Sequence, residues 1–452
     1  MKSLPFYFLV ALATVAPSPA QSGVQLISQS SAGALGDAAS RHPSVDESGR
    51  YVAFESLAAN LGAGDNNGLS DIYLRDRVAG VTSRVSFALG GGEPDGHCYA
   101  PAIAGDGTAV AFDSAASNLA ASSNGSRQVY VRDLTAGTTE LVSVDTNGAP
   151  AVGTSRSGAL SADGSAILFT SDAPGLVPQA VGAFGHVYFR DLIRGVTTWV
   201  DRPWNGVLGD GRSWLGGLSA DGRYAVFGSE IDNLVPNDGN GSWDVFRADL
   251  SDGTVELVTV SSTGAAIGGI TGSPSADGRY VAFWSPWPNL DPGWFGSQLG
   301  NVYVRDMQAG LVRHVSGNSA SNNFPGTGLS LSGDGRSVAF EYDTSGALPD
   351  TASTYDVWFR DTWSSYSEQL SVQPNGAAAN GNSSGPAISG NGRRVAFASK
   401  ASDLVANDTN LDYDVFVAAI GDPVPVKYCS QAPTSGGCVP GILYAGEPSA
   451  TA

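Results

Sequence analysis

The sequence predicts an all-β fold: a seven-bladed β-propeller of four-stranded antiparallel blades, closed by the N-terminal strand in the last blade. Three observations predict it. Phe54, Phe112, Phe169, Phe227, Phe283, Phe340 and Phe397 recur about 57 residues apart, and self-similarity at a fixed period marks a repeat architecture. Each Phe ends an apolar burst that follows a Gly turn such as Ala220-Asp-Gly-Arg223, and an aromatic-rich segment closing on Arg-Asp comes after it. The last unit lacks its outer strand, and a spare strand stands at the other end of the chain.

Near the start of the sequence, Lys2 precedes an apolar run, Phe6 to Ala13, followed by the small residues of Ala16-Pro-Ser-Pro-Ala20. That layout is a secretory signal over residues 1–20. Its apolar core is too short to span a bilayer, and no other segment approaches membrane length. The remaining chain is expected in the periplasm or outside the cell, as a monomer with no membrane span.

In the first unit, Arg50 to Ser56, Asp71 to Arg75 and Val81 to Ser86 are strand candidates, rich in β-branched and aromatic residues between turn formers. A shorter strand around Pro43-Ser-Val45 precedes the Gly turn. Tyr224 to Phe227 with Asp244 to Arg247, and Tyr280 to Phe283 with Asn301 to Arg305, repeat the arrangement. Four strands per unit make a blade. A blade apolar on both faces must stack on neighbours, and a ring is the closed solution.

The seventh unit stops after Asp414-Val-Phe-Val417, with no Thr-x-x-Leu-Val-Ser beyond Ile420. Val24-Gln-Leu-Ile-Ser28 matches Glu140-Leu-Val-Ser143 and Glu256-Leu-Val-Thr259. It is the missing strand, and pairing there removes an open sheet edge. The propeller therefore spans residues 21–421, and residues 422–452 form a tail in which Cys429 and Cys438 could close a local loop in an oxidising compartment.

These repeats, Gly or Asp-Gly-Arg-x-Val-Ala-Phe followed by Asp-Val-Tyr-Val-Arg-Asp, resemble the WD-like repeat of the TolB-type β-propeller family over roughly residues 24–421. The resemblance implies the propeller. It also implies a range of activities, since the family includes periplasmic scaffolds, peptidase-associated modules and lyases, and fold alone does not choose among them.

Formal charge is −19, which argues against nucleic acid, whose phosphates need clustered Lys and Arg. Short Gly turns, as at Asp163-Gly164 and Asp221-Gly222, fall on one rim with the Arg-Asp turns. The longer loops, each about a dozen residues, fall on the other, where binding residues concentrate.

In those loops Asp65, Asn67 and Asp71, then Asp238, Asn240 and Asp244, then Asp408, Asn410 and Asp414 share one spacing. Carboxylates and an amide at alternating positions suit calcium, which takes hard oxygens. The same residue types also form Asx-turns and cap strand entrances. Both readings stand on the sequence.

The recurrent Arg-Asp pairs, such as Arg75-Asp76 and Arg305-Asp306, are expected to be turn chemistry, because a catalytic residue is needed once and a hairpin in every blade. Ser44, Ala102, Ala159, Gly217, Ser273, Ser330 and Ala387, each ten residues before its Phe, are small, as crowding at the axis requires. Cys98 beside His97 is expected to be an odd loop thiol rather than half of a dyad. The four histidines show no metal or catalytic spacing.

Trp204, Trp214, Trp287 and Trp294 are placed in long loops of the third to fifth units. Exposed aromatics on a rigid rim favour a protein or a sugar ring as partner; packing beneath the loops is the other reading. The leading expectation is a secreted binding or scaffold module, its rim stiffened by Ca2+. An extracellular hydrolase or lyase using acidic residues, with or without a metal, at the mouth of the central channel is the alternative, and a purely structural extracellular repeat protein with calcium-stiffened loops is a third.

Overall fold

The computed structural model describes residues 23–421 except 180–184, 210, 237, 262, 288–289, 291–299, 317–327, 344–354 and 365. The predicted leader, the Cys429 and Cys438 tail and Trp294 lie outside the described residues. The chain forms seven four-stranded antiparallel sheets arranged as a propeller. No helix among the described residues is long and apolar enough to cross a membrane.

The first blade runs outward from the axis through Ser40–Val45, Tyr51–Ser56, Asp71–Asp76 and Val81–Arg84. The seventh joins Ser383–Ile388, Arg394–Ser399 and Asp414–Ala419 to Gln25–Leu26, with Gln25 opposite Val417 and Leu26 opposite Phe416. The closing strand is thus the one the repeat pattern selects. The Ser28 hydroxyl donates to Asp414 at 2.6 Å and accepts the Val415 N–H at 3.0 Å, locking the first and last described strands together.

The repeating Phe forms the core of each blade. Phe54, Phe112, Phe169, Phe227, Phe283 and Phe397 are fully buried. Each stacks on the aromatic facing it from the third strand, Tyr73, Tyr130, Tyr188, Phe246, Tyr303 and Phe416, with centroids 5.6–6.0 Å apart. Burying one such ring contributes about 1.5–3 kcal/mol. Blade six departs from this: Phe340 faces Trp358 in register, but Trp358 meets Tyr342 edge-on instead.

A second repeating device ties the third strand to the outer one. The Ser, Thr or Asp following each outer strand accepts the N–H of the second residue of the third strand, as Ser86 does from Ile72, Ser143 from Val129, Asp201 from Val187 and Thr259 from Val245. Where that group is a hydroxyl it also donates to the first residue of the strand, as Ser143 does to Gln128 at 2.5 Å and Ser28 to Asp414 at 2.6 Å.

At the short-turn rim the blades are sewn together by main chain. Glu47 N–H donates to Gly105, Asp106 to Ala162, Ala162 to Ala220, Ala220 to Ala276, Ala276 to Gly333, Gly333 to Gly390, and Asn391 back to Glu47, all at 2.8–3.0 Å. The ring closes on itself. Small residues in the turns let the backbones approach this closely, so that end of the channel is cinched.

Candidate functional site

The other rim, where the long loops emerge, is built differently. Among the described residues, six inner strands carry a bulge next to it, at Arg41/Ser44, Tyr99/Ala102, Ser157/Ala159, Leu215/Gly217, Ile270/Gly272 and Ser384/Ala387. His42, Ala100 and Thr271 there adopt φ of 51°, 48° and 49°, a conformation that side chains disfavour. Carboxylates one residue beyond the repeating Phe hold the bulges of the next blade. Glu55 accepts the Ala100 N–H at 3.3 Å, Asp113 that of Ser157 at 3.1 Å, and Glu341 that of Gly385 at 2.6 Å.

Bulges re-aim side chains and gather near working sites. Here they place Arg41, Tyr99, Arg156 and Trp214 at equivalent points around the mouth. Arg41 lies over the Tyr413 ring at 4.1 Å, and Arg127, paired with Asp113, lies over Tyr99 at 4.5 Å. Burial pushes the Asp113 carboxyl up, and Arg127 draws it back. His42 Nδ1 stands 2.9 Å from Glu55 Oε2 at the mouth.

Between blades three and four the mouth opens into a cleft of about 310 Å³ lined by Thr154, Arg156, Thr170, Asp172, Arg212 and Trp214, among others. Trp214 is 53% exposed, and its ring lies 5.6 Å from that of Trp243. The Asp172 carboxylate is held by the Thr154 N–H at 2.6 Å. Neither Arg156 nor Arg212 forms an ion pair among the described residues.

The placement of Trp214 corrects the sequence expectation: it belongs to the inner strand Ser213–Leu218, not to a loop. Its apolar side chain faces solvent because the bulge turns the strand at Leu215/Gly217. Trp204 and Trp287 do sit in long loops and are 60% and 53% exposed. Trp243, which completes the aromatic pair, is not separable by sequence from tryptophans that pack beneath loops.

Within the three Asp/Asn loops, the middle Asn makes a turn in each case, its Oδ1 accepting the N–H two residues on: Leu69, Ser242 and Asp412. The last Asp is fully buried and belongs to the third-strand network, Asp71 with Ser86, Asp244 with Thr259, Asp414 with Ser28. Burial raises Asp71 and Asp414 to about 6 and Asp238 to about 7. The described residues include no group of three His, Cys, Asp or Glu placed to hold a metal ion.

The remaining candidates are structural. Asp76 accepts the Val78 and Ala79 N–H groups of its turn and pairs with Arg50 at 2.6 Å, which holds its carboxyl down near about 2. Cys98 is not in a loop: it opens the strand Cys98–Ile103, is fully buried, and its thiol is pushed up by burial. His97 instead accepts the Ser70 N–H and stacks on Tyr99. His186 is buried against Asp201, which also receives Ser213 and Trp199.

No protein-family model and no curated protein matches the chain. Solved propellers do. TolB from Acinetobacter baumannii is similar at 17% identity over 73% of this chain, with a TM-score of 0.39; the match spans 62% of that protein's own length. The β-propeller domain of the Trilobed protease from Pyrococcus furiosus is similar at 13% identity over 80% of this chain and 89% of that one, with a TM-score of 0.49. An oligogalacturonate lyase in complex with manganese is similar at 13% over 85% of this chain and 91% of that one, also with a TM-score of 0.49. The likeness is one of fold.

Proposed function

We propose that the chain is an extracytoplasmic binding module whose long-loop mouth holds a glycan carrying negative charge, with one sugar ring in the cleft between blades three and four. The observation that supports this most is Trp214, half exposed beside Trp243 at the edge of a cleft of about 310 Å³ that also presents Arg156 and Arg212. An aromatic face takes the apolar side of a ring, the hydroxyls of Thr154 and Thr170 and the Asp172 carboxylate suit its hydroxyls, and unpaired guanidiniums suit a carboxylate or sulfate. A protein partner fits less well, since an aromatic pair at a narrow polar cleft is small beside a standard interface. Secretion rests on the layout of residues 1–20.

A glycan array probed with the mature chain tests the reading, followed by affinity measurements on Trp214→Ala and on Arg156→Ala/Arg212→Ala. Each is expected to bind on the order of tenfold more weakly or worse, as hot-spot truncations do, with unchanged melting. Binding to neutral and anionic glycans alike in the double Arg variant and the parent would remove the charged cleft from the account. The enzymatic alternative is favoured by one observation, the His42–Glu55 pair on strained backbone at the same mouth. It requires the bound glycan to be cleaved, and His42→Ala to abolish cleavage while leaving binding intact.

A further inference from the structure

We propose that blades four and seven each bind one calcium ion, held at the paired carboxylates Asp238/Asp244 and Asp408/Asp414, whereas blade one carries built-in substitutes for it. The comparison of the three loops carries this. In blade one the Tyr73 hydroxyl donates to Asp65 Oδ2 at 2.5 Å, and Arg84 Nη1 lies 3.6 Å from Asp71 Oδ2. Tyr73 and Arg84 face each other across the third and outer strands. At the same register positions blade four has Phe246 opposite Leu257, and blade seven has Phe416 opposite Leu26. Both the donor and the cation are gone.

What they leave is a pair of carboxylates in each blade, with Asp244, Asp408 and Asp414 buried and Asp238 partly buried. Asp408 is 7% exposed and Asp414 fully buried, and Oδ1 of Asp408 has no hydrogen-bond partner. Oδ1 of Asp238 is likewise buried without a partner. The last carboxylate of each loop is already held, Asp244 by the Asn240 amide at 2.8 Å and Asp414 by the Asn410 amide at 2.9 Å. Those amides are neutral, and no Lys, Arg or His forms an ion pair with any of the four carboxylates among the described residues.

Two like charges buried together without a counter-charge are costly. A hard divalent cation supplies the charge and accepts the free oxygen. Calcium suits the site better than magnesium because it tolerates irregular sets of carboxylate, amide, carbonyl and water oxygens, whereas magnesium demands an octahedron. The ion would fasten each long loop to the entrance of its third strand.

Isothermal titration of the mature chain, freed of metal by chelator and dialysis, is the test, with terbium luminescence excited through Trp243, the neighbour of Asp244, as the second readout. One calcium per loop is expected in blades four and seven, with dissociation constants of about 10⁻³ M or tighter and weaker magnesium. Asp238→Asn and Asp408→Asn should each remove one ion; Asp65→Asn should remove none. Phe246→Tyr/Leu257→Arg, which keeps both carboxylates and imports the blade-one substitutes, should abolish the ion of blade four and its terbium signal. No binding in millimolar calcium overturns the proposal. So does loss of an ion in Asp65→Asn, or an undiminished blade-four signal in the double variant.

Discussion

Glu341 shows how single residues trade solvation for position. It is 6% exposed, and its Oε1 accepts the Gly385 N–H of the next blade. Burial raises its carboxyl above the ordinary 4.5 despite that bond. With the folded value above the unfolded one, the folded state binds the extra proton, so the stability this group contributes is full below about 4.5 and is lost as pH rises through the raised folded value. Glu341→Gln keeps an oxygen for Gly385 and removes the buried charge. The variant should therefore melt at or above the parent at pH 8, with the difference shrinking toward pH 4 in a pH series of thermal midpoints. A variant less stable than the parent at pH 8 would mean that the ionised carboxylate is the better partner for the bulge. At the opposite rim the sign reverses. Asp76, held near 2 by Arg50, contributes above about 3.8 and loses that contribution as pH falls toward 2, though an exposed pair of this kind is worth little.

Among the elements, the third strand and its serine are the most repetitive pairing and make a stability prediction. Ser143 is fully buried, donates to Gln128 Oε1 and accepts the Val129 N–H. Ser143→Ala leaves that buried N–H without a partner, which costs about 1–3 kcal/mol; chemical denaturation should show the loss, and a change within error would make the network dispensable. Which parts of such elements were legible in the sequence follows from what repeats. Phe54 and its equivalents, the Gly turns and the small residues at the axis recur at fixed spacing because every blade solves the same packing problem. Ser44, Ser273 and Ser330 even accept the next blade's N–H, each at 3.1 Å, and a Cβ on Gly217 would meet Pro274 at 2.6 Å. The mouth was not legible. A bulge has no sequence signature when His42, Ala100 and Thr271 occupy its strained position, and without the bulge Trp214 reads as a loop residue. The difference between Tyr73 and Phe416 under otherwise matching loops gains meaning only once register places Arg84 and Leu26 opposite them.

For the molecule as a whole, the two ends of the channel divide the labour. Main-chain bonds from Glu47 round to Asn391 cinch one end, and carboxylate-held bulges open the other, so rigidity and chemistry do not compete for the same residues. The ring itself depends on one short strand. Gln25–Leu26 supplies the outer edge of blade seven, Ile27 is fully buried, and Ser28 makes the two bonds to Asp414 and Val415. A chain that begins after residue 30 should expose the edge of Asp414–Ala419, melt well below the parent and associate through that edge, as unpaired strands do. Because the lost element is a strand with a defined register, a peptide of residues 23–30 added in trans should restore the midpoint in a concentration-dependent way. Replacing its Ser28 by Ala should weaken the rescue, since that peptide can no longer donate to Asp414. An unchanged melting curve for the truncated chain would show that the other six blades hold the seventh without its fourth strand; rescue by a scrambled peptide as good as the native one would show that the edge needs covering but not this sequence.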